Sequence, residues 1–446
     1  MAHEHQKAAR SWLWTIGLIA AVSLGALFRL GWARDIEYKA DEALMFEWSR
    51  AVGSGASWPW LGMQSGVGLR NPGMSVWIFA ILGRLTGNGD PPALARGVEV
   101  LAVLATLLVV AFALLGVGEG EREPWLWAAV LAAVNPIAVL YDRKIWAQSI
   151  LPIFSVILLL GWWHRRRLWG ALVWGAVGAC LGQIHMSGFF FAGGLVLWAL
   201  LFDRKGVCWS GWLTGSLLGV LPMVPWLLYV FRALAEHPGA GGLRFAGLDF
   251  WGYWIKNALG LSLAHSLNRD FLDFLRYPLA GGRSTFVVLG LHLLIALAGA
   301  VVIARACVVL WRQKARWLSL WIGRTSQTAF AQNAVFWGFG ILLTASFVPI
   351  YPHYLIVAFP LPFLWLARMA LGGPGAAPDS GQSGRQRSGR AVLIALCLAE
   401  ALLTAGFLCY IHQNRGAVHG DFGVTYGAQL DSGRLPSGGG DQLIQP

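Results

Sequence analysis

Long apolar runs recur from one end of the chain to the other, separated by short polar turns that hold nearly all of the charge. A helix needs about 20 residues to cross a hydrocarbon core of roughly 30 Å. On that measure the runs predict spanning helices at 11–31, 94–117, 124–141, 147–163, 209–231, 284–310, 331–350, 353–371 and 391–411. The uncharged stretch 168–202 is long enough for two thin spans meeting at "QIHMSG". The segment 73–87 is short and ends close to Arg84, so it reads as an interfacial or half-inserted helix. The expected fold is an all-α polytopic membrane protein with about 11 transmembrane helices.

Composition agrees: 57% of residues are hydrophobic and 13% charged, with mean hydropathy +0.58, whereas soluble domains carry about 25% charged residues. The net charge of +12 comes from short clusters between apolar runs, not from a basic domain with interleaved aromatics. Membrane orientation accounts for it, and nucleic acid is not an expected partner. The five Cys lie in or beside apolar runs without CxxC spacing and read as packing residues. The start, "MAHEHQKAARSWLWTIGLIAAVSLGALF", reads as a retained first helix, because no small-residue cleavage site ends its apolar core.

One orientation keeps "HRRR" (164–167), "DRK" (203–205) and the 312–324 loop on the cytoplasmic side of a cell (inner or plasma) membrane. Counting 73–87 as a full span reverses every later loop and moves those clusters outside. The expected organisation is a transmembrane domain over 1–371, with external loops at 32–93 and 232–283. A flexible cytoplasmic linker follows at 372–390, then a last span with an external tail, 391–446.

That topology gathers the unusual polar groups on the external face: the acidic loop "RDIEYKADEALMFEWS", Arg143 with Lys144, His185, and His353 with Tyr354. Such groups between spans are candidates for function, because lipid cannot satisfy them. Each also has a plainer reading. Asp35, Glu37 and Glu47 fit a solvated surface, Asp41 fits a helix cap, Arg143 and Lys144 fit snorkelling at a helix end, and His185 fits an interhelical hydrogen bond. Glu400, inside the last run, is an acid without an evident partner.

Four segments in order, "ADEALMFEWS", "NPGMSVW", "NPIAVLYDRKIWAQSILPIF" and "PIYPHYLIVAFP", resemble the GT-C glycosyltransferases of the protein O-mannosyltransferase, lipid A aminoarabinose transferase and Rgt-like branch. The resemblance covers about residues 10–365 and rests on the order of the segments. It departs at Asn71-Pro72-Gly73, where a Pro-Pro with a nearby Lys is common in that family.

The resemblance implies a GT-C-like fold whose external first loop carries the catalytic acid, and transfer of a sugar from a polyprenyl-phosphate donor to a glycan, lipid or protein hydroxyl outside the membrane. Asp41 would be the general base, with Glu42 orienting it or binding acceptor. Arg143, Lys144, His353 and Tyr354 would hold the donor phosphate, and His185 and Asn71 would touch substrate. Direct displacement with one base implies inversion. The acids of the first loop leave room for a divalent cation without a decisive ligand pattern. The alternative is a transporter or flippase of lipid-linked saccharides, which calls for an internal repeat; none is evident, and the charges avoid the centres of the spans.

Overall fold

Each apolar run is helical in the computed structural model, which describes residues 2–64, 69–87, 89–236, 247–372 and 383–435. The first helix, α1 (Ala2–Leu30), leads to a loop that contains α2 (Ala40–Gly53) and α3 (Met74–Thr86), packed on each other. Between them β1 (Leu61–Gln64) and β2 (Arg70–Pro72) pair antiparallel, with Leu61 opposite Pro72. The 13 residues of α3 are apolar but short, and Gly87 ends the helix in the left-handed region. Helix α4 (Pro91–Leu115) starts where Asp90 Oδ1 accepts from Ala93 N (2.8 Å) and two prolines fill positions that need no N–H.

Helices α5 (Glu119–Val134) and α6 (Pro136–Asp142) form one run bent by 63°. The cause is local. Pro136 cannot donate to the carbonyl of Ala132, and Asn135 Oδ1 takes the N–H groups of Ile137 and Ala138 (3.0 and 3.1 Å). The freed carbonyls are satisfied by neighbours, as burial requires. Arg29 donates to Ala132 O (3.1 Å) and Ala133 O (2.6 Å), and Thr404 donates to Val134 O (2.6 Å).

A short 3₁₀ turn at Ala147–Ile150 feeds α7 (Leu151–Trp163), followed by α8 (Leu168–Ile184) and α9 (Ser187–Phe202). Then come α10 (Trp209–Val220) and α11 (Val224–Glu236) as one long rod, and three short helices, α12 (Asp249–Ala258), α13 (Leu263–Leu267) and α14 (Phe271–Arg276). A small ribbon, β3 (Leu279–Ala280) with β4 (Arg283–Ser284), leads into α15 (Val287–Arg312). The rest is α16 (Trp317–Ile322), α17 (Gln327–Asn333) running through a π-helical turn into α18 (Gly340–Ala345), a 3₁₀ segment at Pro352–Ala358 bent by 79° onto α19 (Leu361–Leu371), and α20 (Ser383–Asn414).

Among the described residues five helices are long and apolar enough to cross a membrane, or seven if each bent pair is one span. The segments Trp14–Leu30, Ala147–Trp163, α8 and α9 are shorter apolar helices. Helices α7, α8 and α9 connect the same two ends of the molecule, about 25 Å apart for the 17 residues of α8 at 1.5 Å per residue. One end holds Gln148 and His185; the other holds Arg165 and Asp203.

The chain after α20 differs from a simple polar tail. It forms β5 (Gly416–Ala417), β6 (Gly423–Val424) and α21 (Tyr426–Asp431), which fold back onto the first loop. Thr425 bridges Glu37, Tyr426 N donates to Ile36 O (3.0 Å), and Gly427 N donates to Arg34 O (2.9 Å). The turn is tight: a Cβ at Gly420 would stand 2.4 Å from Leu267 O. Of the segment expected as a linker, 383–390 belongs to α20 and 373–382 lies outside the described residues, as do 237–246 of the second external loop and 436–446 of the tail.

Candidate functional site

The first turn of α2 shows how the acidic loop is organised. Lys39 precedes the helix, and its backbone N–H is taken by the Glu42 carboxylate at 3.0 Å. This leaves the capping expected of Asp41 to Glu42, because the carboxylate three residues into the helix reaches back to the free N–H. Asp41 is exposed, and no hydrogen bond or ion pair holds its carboxylate among the described residues. Glu42 is buried, and its carboxyl is pushed up to about 7, first by burial and then by the Glu37 carboxylate, against the pull of Lys144 and Lys39.

Glu37, expected as solvated surface, is 1% exposed and sits between two ammonium groups. Lys39 Nζ lies 2.6 Å from Glu37 Oε1, and Lys144 Nζ contacts Glu37 Oε2. Lys144 is itself buried, under the rings of Trp146 (4.9 Å) and Tyr141 (5.5 Å). Charges removed from water in this way persist only when paired. Lys39 also reaches the tail, at 2.6 Å from Asp421 O and 3.3 Å from Asp421 Oδ1.

The triplet Asp142-Arg143-Lys144 is divided among three partners. Asp142 pairs with Arg29 (2.8 Å), and Lys144 goes to Glu37. Arg143 donates to the carbonyls of Phe28 (2.8 Å), Arg29 (3.0 Å), Gly31 (2.7 Å) and Trp32 (3.0 Å), which closes the C-terminus of α1. Arg143 is therefore committed to the backbone and lines neither of the cavities beside Asp41.

Two cavities meet at Asp41. The larger, about 770 Å³, is polar and bounded by Glu37, Lys39, Glu42, Lys144, His265 and Asp421. The smaller, about 380 Å³, is more apolar, with Met45, Met63, Phe190 and Leu343 beside Asn71, Gln148, His185 and Tyr354. Asp41, Trp146, Tyr351 and His353 line both. His353 packs between Trp146 (4.8 Å) and Tyr351 (5.6 Å), while His185 lies edge-on to Tyr354 (5.3 Å) with its Nδ1 2.7 Å from Ser187 Oγ.

The wall is braced by a polar chain. Asn135, at the α5–α6 bend, donates to Asn257 O (3.1 Å), and Asn257 donates to Pro352 O (2.8 Å). The bend that carries Lys144 is thus fixed relative to the segment that carries His353.

Of the residues expected at the site, Asp41, Glu42, Lys144, His353, Tyr354, His185 and Asn71 line one or both cavities, and Arg143 does not. Sequence reasoning missed Lys39, His265, Gln148 and Asp421 as lining residues. Gln148 Oε1 is buried without a hydrogen-bond partner among the described residues. Among the described residues no group of three or more His, Cys, Asp and Glu is arranged to hold a metal ion.

No protein-family model matches the chain, and no curated protein matches it. Among solved structures it is similar to the Archaeoglobus fulgidus oligosaccharyltransferase in the apo form, at 12% identity and a TM-score of 0.49, over 97% of this chain and 60% of that one. The archaeal oligosaccharyltransferase AglB from the same organism, in complex with an inhibitory peptide and a dolichol-phosphate, is similar at 12% identity and a TM-score of 0.43, over 98% of this chain and 60% of that one. A third structure of that enzyme, with Zn and sulfate, gives 12% identity and a TM-score of 0.44 over 96% and 57%. The chain thus spans about 60% of the length of the solved structures it resembles.

Proposed function

We propose that the chain is an integral-membrane glycosyltransferase of GT-C type that moves a sugar from a polyprenyl-phosphate donor to an acceptor hydroxyl on the external face. The observation that carries this reading is the position of Asp41. It is an exposed carboxylate, unpaired among the described residues, on the wall shared by a polar cavity and an apolar one. A transferase joining a water-soluble group to a lipid-borne group needs its base at such a junction.

In this reading the apolar cavity takes the donor's first isoprenoid units past Phe190 and Leu343, and the polar cavity takes the acceptor. The acceptor oxygen attacks the anomeric carbon while its proton passes to Asp41. The bond from that carbon to the phosphate oxygen breaks, and the lipid phosphate leaves with the electron pair. One displacement inverts the anomeric centre. In this reading the leaving phosphate sits at the shared wall against His353, which lines both cavities, and the Lys144 and Lys39 charges on the polar side offset the charge that builds on it. Asp421 and His265 face the acceptor side. Because Glu37, Asp41 and Asp421 outnumber the two lysines, the polar cavity suits hydroxyl recognition better than it suits a second anion. Glu37 is taken up by Lys39 and Lys144, and these acids are not grouped to hold a divalent cation among the described residues, so no step runs through one.

The test is turnover of a polyprenyl-phosphate sugar by the purified full chain. Asp41→Asn keeps the side-chain size and should bind donor normally, yet lose about 10²- to 10⁴-fold in rate, the usual contribution of a general base. Wild-type turnover by that variant would remove Asp41 from the chemistry.

One observation favours transport of a lipid-linked saccharide as a second reading. Both bent pairs, α5–α6 and Pro352–Ala358 with α19, deliver residues to the site, and broken helices are a transporter device. Bond cleavage of the donor in detergent, where there are no compartments, would decide for transfer.

A further inference from the structure

A third cavity, of about 590 Å³, lies at the opposite end of α7, α8 and α9, and it is built from three turns far apart in sequence. The turn before α8 contributes His164, Arg165, Arg166 and Arg167, the end of α9 contributes Asp203, and the turn before α17 contributes Arg324. An excess of basic residues in cytoplasmic loops is a property of single loops. It does not require arginines from different loops to face one concavity.

The floor is fixed. Arg165 donates to Asp203 Oδ2 from Nε (3.0 Å) and Nη2 (2.5 Å) and to Trp162 O (3.2 Å), and lies over the Trp162 ring at 4.3 Å. Gln327 Nε2 donates to Trp163 O at 2.7 Å, tying the third turn to the first. At Gly323, φ is +86° and a Cβ would stand 2.6 Å from Ala329 O, so that turn is held in one shape. Asp203 is already matched by Arg165. Its other oxygen is 3.9 Å from Arg166, which leaves Arg166, Arg167 and Arg324 as exposed cations around a rigid concavity. Burial and Arg167 both hold the His164 ring below its ordinary value, so His164 adds little charge.

Beside the arginines, Leu168 and Trp169 are 62% and 49% exposed, and Trp317 and Leu318 on α16 are 59% and 61% exposed. Apolar and tryptophan side chains next to a basic concavity match the level where lipid headgroups meet acyl chains. We propose that this cavity binds the headgroup of an anionic phospholipid, with its phosphate on Arg166, Arg167 and Arg324 and its chains over Leu168 and Trp169. The forked donors of arginine suit a phosphate better than single ammonium charges would. None of these residues lies in the candidate active site, so the proposal stands apart from the glycosyltransferase reading.

The test uses the purified, delipidated full chain in a zwitterionic detergent and measures its Tm against added phosphatidylglycerol, phosphatidylcholine or inorganic phosphate. Phosphatidylglycerol should raise the Tm saturably, and phosphatidylcholine should not. Each of Arg166→Gln, Arg167→Gln and Arg324→Gln should weaken the apparent affinity about tenfold, the scale of one charge-assisted hydrogen bond, while the lipid-free Tm stays unchanged because all three side chains are exposed. Undiminished lipid stabilisation of the triple variant would overturn the site. An equal shift with inorganic phosphate at the same concentration would overturn the lipid as its occupant.

Discussion

Lys39, at the start of α2, and Asp421, in the folded tail, are 382 residues apart in sequence and 3.3 Å apart as Nζ and Oδ1. The same ammonium group holds Glu37 at 2.6 Å, so the tail and the first loop share one cation at the mouth of the polar cavity. The Asp421 side chain is 58% exposed. An exposed pair of this kind is worth about 0–1 kcal/mol. Asp421→Asn should therefore leave the Tm unchanged. In a turnover assay it should raise the KM for acceptor by about tenfold, the equivalent of one lost polar contact, with kcat nearly intact. An unaltered KM would assign the residue to tail docking alone.

Glu37 is the sole acidic partner within ion-pair distance of the buried Lys144 among the described residues. Removing one member of a buried pair typically costs about 3–5 kcal/mol, because the other charge is left without compensation. Glu37→Gln should accordingly lower the Tm and the yield of folded protein. The double variant Glu37→Gln with Lys144→Met should recover much of that loss. Thermal unfolding of the single and double variants in the same detergent checks this; equal destabilisation of both would contradict the pairing argument.

Arg143 closes the end of α1 with four hydrogen bonds to carbonyls. Arg143→Ala should cost several kcal/mol, since hydrogen bonds to charged groups contribute about 1.5–3 kcal/mol each and are not additive. Arg143→Lys should rescue little, because one ammonium cannot reach from Phe28 O to Trp32 O as the fork does. Donor affinity of the fraction that folds should match wild type. A stable Arg143→Ala protein with weakened donor binding would return this residue to the phosphate.

Glu42 gives a pH dependence whose sign is fixed. Its folded-state carboxyl is raised to about 7, mainly by burial and then by Glu37, above the unfolded value of 4.5. Between those values the unfolded chain has released this proton while the folded protein retains it. Stability contributed by this group is therefore present below pH 4.5 and declines as pH rises towards 7. Glu42→Gln should flatten that part of the profile, so that its Tm relative to wild type rises from pH 5 to pH 7.5. A constant difference across the range would mean that Glu42 ionises as an ordinary carboxylate.

Helix positions were legible in the sequence because the bilayer imposes a one-dimensional rule: an apolar run must be helical to satisfy its own backbone. The run 209–231 appears as the rod of α10 and α11, and 284–310 as α15. The run 124–141 read as one span, and the structure bends it at Asn135-Pro136 for a local reason, a proline without an N–H and an asparagine able to replace it. The joint placement of Asp41, Lys144 and His353 followed from asking which turns share a face, and all three line one cavity.

What the linear order did not carry was the assignment of partners. Asp142, Arg143 and Lys144 are adjacent, yet each has a different partner, a side chain of α1, the carbonyls at its end and Glu37 of the first loop, because successive residues at the end of a helix point about 100° apart and meet different neighbours. Glu37 and Asp35 look alike in sequence; one is enclosed with Lys144, while the other meets His412 at 2.7 Å. The return of the tail onto the first loop joins 425–427 to 34–37. No periodicity encodes such a contact, since its backbone hydrogen bonds depend only on the two segments arriving at the same place. Sequence alone determined how many apolar runs there are, where they break and which turns are charged. The tertiary structure decided which charge meets which, and so left Asp41 on the shared wall with no hydrogen-bond or ion-pair partner among the described residues.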